Sequence, residues 1–290
     1  MADKQKILIT GTSSGFGLGA AKALSERGHT VFATMRGVDS KNASTAKELR
    51  DWAAAGKHPL EVHELDVTND ASVARGVETI LARAGRLDVL VNNAGVGTWG
   101  LQEGFTPDQV KDLFDINVVG MLRMNRAVMP HMRRNKAGYV IYVSSGLGRI
   151  LFPFLGPYTA TKYAVEAIAE IASYELKPSG IDTTILQPGA YGTAFLTHSV
   201  LPAEPHRLDD QPALKQMYDA FAGSFEARAK AGQLGDPREI IDAMIELVEL
   251  APDRRPLRKP VGKDVEHGVT ALNVAHDQVQ DQLLKMIGLR

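Results

Sequence analysis

Two side chains one helical turn apart, Tyr158 and Lys162 in GPYTATKYAVEAI (156–168), are placed to do acid–base chemistry. A lysine at that spacing lies on the same helix face as the phenol, favours phenolate and lowers the pKa, so that the tyrosine can pass a proton near neutral pH. The chain has seven tyrosines, and only Tyr158 has a lysine four positions later. Thirteen residues before it stands Ser145, in VSSG at the end of an apolar run. The intervening stretch is too irregular for a helix and long enough to fold across the mouth of a sheet, so hydroxyl and phenol can meet. The same helix also suits packing, because Ala160 and Ala164 would let it lie close to a neighbour.

A second group could hold a nucleotide. The apolar run KILIT (6–10) leads into TGTSSGFGLG (10–19), where Gly11, Gly15, Gly17 and Gly19 open a helical pattern. Glycines let a backbone turn sharply and approach a pyrophosphate, and a helix start offers free amides and a partial positive charge. Gly11, Ser13, Ser14, Gly15, Phe16 and Gly17 are thus candidates for holding a dinucleotide. On this motif alone a flavin fits as well, since Gly15 to Ala20 contains G-x-G-x-x-A.

The second strand ends in ATMRG, with Arg36 where an acidic residue would accept the ribose hydroxyls of NAD; a guanidinium there suits the extra phosphate of NADP. Arg36 could equally be a solvated surface charge. LDV (65–67) and NNAG (92–95) close the third and fourth strands. Asp66 can accept from an adenine amine and Asn93 can bridge strand ends, or either can simply form a turn.

Such groups need a scaffold that brings strand ends together. Short β-rich runs at 6–10, 30–35, 60–67, 87–93, 139–145 and 182–187 alternate with helix-periodic runs, the pattern of βαβ units. The helices expected are 17–27, 45–55, 70–84, a long one from Thr106 to about Asn135, and 156–176. Thr68 and Thr106 read as N-caps, and Gly28, Gly56 and Gly138 as stops. The fold class expected is α/β: one doubly wound, Rossmann-like parallel sheet over 1–290 with helices on both faces, binding its ligand beyond the strands' carboxyl ends.

Residues 190–235 break this pattern and read as a lid or substrate loop, with an amphipathic stretch from Met217 to Ala229. A capped helix then runs from GDPREI to about Leu250, PLRKPVG (256–262) adds an edge strand, and the 263–290 tail is weakly helical.

Composition narrows the partners. At 44% apolar and 23% charged residues with a formal charge of −1, the chain has no general attraction for nucleic acid or an anionic membrane. It has no cysteine, which excludes disulfides and thiolate chemistry and suits the cytoplasm. The start is too polar for a signal peptide, and no run of about 18 apolar residues suggests a membrane span. Eight histidines fall in no metal-binding pattern, His198 and His206 included, so no metal is expected. DRRPLRKP (253–260) is basic but lacks an aromatic platform for nucleic acid, and fits a solvated loop or subunit contact.

T-G-x-x-x-G-x-G at 10–17, N-N-A-G at 92–95, N-x-x-G at 117–120, Ser145, Y-x-x-x-K at 158–162 and PGAYGT at 188–193 stand in the order and spacing of the short-chain dehydrogenase/reductase family. The chain resembles that family over about residues 5 to 262 and, within it, the branch of 17β-hydroxysteroid and retinol dehydrogenases. The resemblance implies Tyr158 as general acid/base, Lys162 on the nicotinamide ribose, Ser145 steadying the carbonyl oxygen and Asn117 supporting a proton-relay water. It also implies that Thr10, Gly11, Gly15 and Gly17 hold the pyrophosphate, and Asp66 and Val67 the adenine. Asn93, Ala94 and Gly95 would lie below the nicotinamide, and Pro188, Gly189 and Thr193 beside its carboxamide. NADP(H) is preferred, with NAD(H) as the alternative. Ser14 stands where some NADP-preferring members carry a basic residue, so the preference rests on Arg36.

The expected function is therefore hydride transfer between NADP(H) and a hydrophobic ketone, aldehyde or secondary alcohol. Leu147, Ile150, Leu151, Phe152, Phe154, Leu155, Tyr191, Phe195 and Leu196 are candidates for its apolar wall, or for plain loop packing. A non-catalytic NADP(H)-binding sensor is the competing reading, against which the tyrosine–lysine pair argues. By resemblance, the helices after Thr106 and Gly156 would form the contact of a homodimer or homotetramer.

Overall fold

The first strand explains how the sheet can be covered on both sides. In KILIT, Ile7 and Ile9 point to one face and Leu8 to the other, and all three are fully buried. Strands apolar on both faces belong inside a parallel sheet whose crossover helices cover it twice. The computed structural model describes residues 3–192, 199–263 and 265–289 and bears this out.

Seven parallel strands, β1 (Lys6–Thr10), β2 (Thr30–Met35), β3 (Leu60–Glu64), β4 (Val89–Asn92), β5 (Gly138–Val143), β6 (Ile181–Pro188) and β7 (Arg258–Val261), lie in the order β3-β2-β1-β4-β5-β6-β7. On the Ile7 and Ile9 side pack α1 (Gly15–Glu26), α2 (Ala43–Gly56) and the late helix Pro237–Glu249. On the Leu8 side pack α3 (Asp70–Ala84), α5 (Gly120–Asn135) and α6 (Gly156–Leu176). The chain moves outward from β1 to β3 and then returns to β4 beside β1. That reversal opens a crevice at the carboxyl ends of β1 and β4, where ligands bind in such sheets.

The helix from Thr106 is not continuous. After α4 (Pro107–Phe114) comes one π turn, Asp115–Val119, before α5. Single π turns inside helices collect at functional sites, and this one holds Asn117. Thr106 caps α4 as expected, through a full capping box with Gln109. α3 is capped by Asn69 rather than Thr68, because the Asn69 carboxamide reaches the Ser72 amide while the Thr68 hydroxyl is bonded to Asp66.

Gly28 takes the left-handed turn after α1, but α2 and α5 end on left-handed Lys57 and Lys136, one residue after Gly56 and two before Gly138. Beyond β6 stand α7 (Pro212–Lys230), α8 (Pro237–Glu249) and α9 (Glu266–Met286). The tail expected to be weakly helical is thus a helix of 21 residues, anchored by buried Val269, Asn273 and Leu284.

Removing the Thr106 cap tests how α4 is held. Thr106→Ala should lower stability by about 1 kcal/mol, read from the urea midpoint, while an unchanged midpoint would mean that the cap bears none of the local stability.

Candidate active site

The β1–β4 junction is locked from both strands. Thr10 Oγ1 accepts from the Asn93 and Ala94 amides, both at 3.0 Å, and Asn93 Nδ2 donates to the Thr10 and Gly11 carbonyls at 2.9 and 3.1 Å. Gly11 has φ +71°, and a Cβ there would stand 2.8 Å from Ala94 Cα. A Cβ at Gly17 would stand 2.4 Å from the Gly11 carbonyl oxygen. Gly15 differs, because a Cβ there meets nothing within 4 Å. The turn thus presents an open edge at the start of α1. No side chain caps that helix, and its first turn carries no acidic residue, so its free amides suit an anion.

This edge is one end of a cavity of about 830 Å³. Gly11, Ser13, Ser14, Gly15 and Phe16 line it, followed by Arg36, Asp66, Val67, Asn93, Ala94, Gly95, Ser145, Tyr158, Lys162, Pro188 and Gly189. Exposed Arg36 shares the end of β2 with Lys41, Asn42 and Thr45. Thr10 and Gly17 lie behind the lining and shape it from there. Thr193, Phe195, Leu196 and His198 fall outside the described residues.

Asp66 is less free than the sequence suggests, since its Oδ1 accepts from the Thr68 amide at 3.0 Å and hydroxyl at 2.8 Å. Burial opposes its charge, but these bonds, with Arg36 and Lys41 nearby, hold the carboxyl below its usual range.

Asn117 stands behind the wall as a pin. Its Oδ1 accepts from the Val96 amide at 2.9 Å, while Nδ2 donates to the Val96 carbonyl at 2.9 Å and to Thr161 Oγ1 at 3.1 Å. Gly120 completes the N-x-x-G motif by close approach, as a Cβ there would lie 2.9 Å from Val67 Cγ2. The pinned segment then reaches α6, where Thr98 Oγ1 accepts from the Tyr158 amide at 3.1 Å.

Ser145, Tyr158 and Lys162 come together on the cavity wall, and all three are buried. Burial pushes the Tyr158 phenol above its ordinary value, and a hydrogen bond with Ser145 pulls it partly back. The spacing alone predicted the opposite direction. Lys162 Nζ lies 5.6 Å from the Tyr158 ring centroid and donates to the Val143 carbonyl at 2.9 Å. Burial brings the lysine down to about 8, against the pull of Glu166. Desolvation thus favours a neutral phenol and weakens the cation, so Tyr158 stays protonated near neutral pH.

The far end of the cavity is aromatic. Trp99 stacks on Phe221 of α7 at 5.2 Å between centroids and meets Phe225 edge-on at 5.3 Å. Leu147, Phe152, Leu155 and Tyr191 reach the lining as expected, whereas Ile150, Leu151 and Phe154 do not. Phe154 is buried against Tyr218 and Phe221 instead, and Leu151 is 72% exposed. Sequence reading missed Val96, Thr98, Trp99, Phe221 and Phe225. The ring spacing at 218, 221 and 225 within the amphipathic stretch was the available signal.

Residues 5–202 match the family described as short chain dehydrogenase, more than half of the chain. The chain belongs to that family. It is accordingly a dehydrogenase/reductase, an enzyme acting between alcohol and carbonyl groups. Among its relatives are the 3-ketodihydrosphingosine reductase of Bacteroides thetaiotaomicron, 35% identical over 90% of this chain and 89% of the relative, and human 17-beta-hydroxysteroid dehydrogenase type 1, 34% identical over 82% and 72%. Bovine retinol dehydrogenase 8 is 34% identical over 89% and 82%.

A short-chain dehydrogenase from Streptomyces avermitilis superimposes with a TM-score of 0.75 at 30% identity, covering 98% of this chain and 96% of that one. An alcohol dehydrogenase from Thermococcus sibiricus, complexed with 5-hydroxy-NADP, gives 0.70 at 25% identity over 89% and 96%. A 3-ketoacyl-(acyl-carrier-protein) reductase from Brucella melitensis, complexed with NADH, gives 0.70 at 26% over 89% and 96%.

Asn117→Ala would strip half-buried Val96 of both its partners, and backbone groups left unpaired away from water are costly. The expected loss is roughly 2–3 kcal/mol in denaturant unfolding. A loss under about 0.5 kcal/mol would mean that water replaces the pin.

Proposed function

We propose that the protein is an NADP(H)-dependent oxidoreductase working on a hydrophobic ketone, aldehyde or secondary alcohol, with Tyr158 as general acid/base. The observation that carries this reading is that Ser145, Tyr158 and Lys162 share one cavity with the open glycine turn. A nicotinamide dinucleotide, when bound, would supply or accept the hydride. The turn from Gly11 to Gly17, with Thr10 behind it, would hold the pyrophosphate, and Asp66 and Val67 the adenine. Asn93, Ala94 and Gly95, with Pro188, Gly189 and Thr193, would frame the nicotinamide.

Arg36 carries the preference for NADP(H), supported by Lys41 on the same wall. NAD(H) is the alternative, as the solved relatives include complexes with both kinds of cofactor.

In the reductive direction Tyr158 gives its proton to the carbonyl oxygen while Ser145 holds that oxygen by a hydrogen bond. Lys162 supports the developing negative charge and the cofactor ribose, as preorganised donors act most strongly where charge develops. Asn117 keeps Val96 and Thr98 beside Tyr158, and a relay water would use the acceptor capacity left on its Oδ1. The aromatic end of the cavity and the names of the three relatives support an apolar substrate.

Residues 190–235 are proposed as the lid, with α7 as its helical part and the 263–290 tail as a brace within one catalytic domain. Exposed Val119, Leu122, Tyr163 and Ile171 on and beside α5 and α6 support a homodimer or homotetramer. Among the described residues no helix is long and apolar enough to cross a membrane. The cytoplasmic setting we propose rests on the lack of cysteine in the sequence.

The test follows NADPH loss, with NADH in parallel, over hydrophobic ketones and aldehydes including steroids and retinal. NADPH should be consumed well above NADH, and Tyr158→Phe should lose at least about 100-fold in rate while still binding NADPH. Near wild-type turnover by that variant would overturn the acid/base role, and NADPH binding without any turnover would favour the regulatory sensor.

The rate of reduction should also decline as pH rises through about 8, because Lys162 titrates there and loses its positive charge. Flat activity from pH 7 to about 9.5 would exclude the cation from the rate-determining step.

A further inference from the structure

The catalytic face of α6 does not end at Lys162. Glu166 and Glu170 follow at the same four-residue spacing, so four ionisable side chains line one face, all of them buried. Buried carboxylates need partners, and these come from several elements. Glu166 Oε1 accepts from Gln187 Nε2 of β6 at 3.0 Å, and Oε2 accepts from Arg258 Nε of β7 at 3.3 Å. Arg149, in the loop that follows Ser145, brings Nε to 3.6 Å of the same Oε2. A Cβ at Gly148 would lie 2.7 Å from Glu166 Cγ, so the loop rests directly on the stem of this side chain.

Glu170 also pairs with Arg258, and accepts from the Tyr174 hydroxyl at 2.6 Å. From α9, His276 Nε2 lies 2.9 Å from Glu170, Asp277 accepts from Arg258 Nη1 at 2.7 Å, and Asn273 Nδ2 donates to Gln187 Oε1 at 2.7 Å. Glu170, His276 and Asp277 approach closely enough for a metal. The guanidinium of Arg258 already bonds both carboxylates and takes the cation's part.

We propose that Glu166 is a positioning residue of the active site: its carboxylate keeps Lys162 cationic and seats the Ser145 loop, with Arg258 as the counter-ion that ties both to the C-terminal helix. This rests on the role given above to Lys162. The charges around Glu166 are Lys162 and Glu170 from α6, Arg149 from the loop and Arg258 from β7. Asp277 and His276 of α9 stand beyond Arg258. Burial weakens the Lys162 cation and Glu166 opposes that weakening. Arg258, by bonding Glu166, limits how much negative potential reaches the lysine. The two residues therefore act on Lys162 with opposite signs, which separates an electrostatic role from loosened packing.

The experiment follows the 13C resonance of Lys162 Cε against pH in full-length, 13C-lysine-labelled protein, assigned by its absence in Lys162→Met. Glu166→Gln should lower the titration midpoint by at least about 0.5 pH unit, a roughly three-fold loss of proton affinity. The alkaline limb of the reduction rate should move the same way. Arg258→Gln should move the midpoint upward. A cooperatively folded Glu166→Gln protein with an unchanged midpoint, or both variants shifting in the same direction, would overturn the proposal. Should Glu166→Gln not fold, Arg258→Gln carries the test alone: an upward shift supports the proposal and any other result defeats it. The midpoint is read without turnover, so this inference can fail while Tyr158→Phe still upholds the acid/base assignment, and the reverse.

Discussion

The bond set between Thr10 and the Asn93–Ala94 amides holds the site together. β1 and β4 are neighbours only because the chain reverses there, and two parallel strands leaving a sheet would otherwise diverge. One hydroxyl accepting two amides and one carboxamide donating to two carbonyls keep the strand ends together. The closeness of Gly11 to Ala94, the open edge at Gly15 and the direction of the 93–98 segment toward α6 follow from that closure. Four hydrogen bonds converging on one strand junction impose one arrangement rather than a set of near-equivalent ones.

The sheet was legible in the sequence because its signal is local. The unbroken apolar run of KILIT, turn residues after each strand and helix-length spacers fix strand identity, and six expected strands stand within a few residues of their observed bounds. The end of the long helix from Thr106 was also readable, but its interruption was not. Nothing in DINVVG breaks a 3.6-residue period, and the π turn is carried by Asn117 bonding to Val96 and Thr161, contacts that only the assembled fold supplies. The left-handed residues closing α2 and α5 were not legible for a related reason: Lys57 and Lys136 take that conformation although lysine has no preference for it.

Motifs brought the site residues to one place, yet they said little about its electrostatics. A tyrosine with a lysine one turn later suggests a depressed phenol. Burial reverses the direction because the phenol loses water, an effect that the Ser145 hydrogen bond only partly offsets, while burial also weakens the lysine cation. Burial of a helix face depends on what lies opposite, here β5, the Ser145 loop and the C-terminal helix, none of which is visible from a four-residue spacing. The aromatic end of the cavity was only partly legible, since the ring spacing of Phe221 and Phe225 is local but Trp99 is far from both in the chain and meets them only over the cavity.

α7 runs for 19 residues and buries none of them. It rests on the cavity mouth through rings, Tyr218, Phe221 and Phe225 against Phe152, Phe154 and Trp99, while the sheet beneath carries the stability of the molecule. Under the function proposed above, changes in this helix would reshape the wall that meets substrate and leave the folding core untouched. In evolutionary terms the proposed function would place chemistry and choice of substrate on separate parts of the chain, so new substrate ranges could be reached by mutation of 212–230 without first surviving a loss of fold.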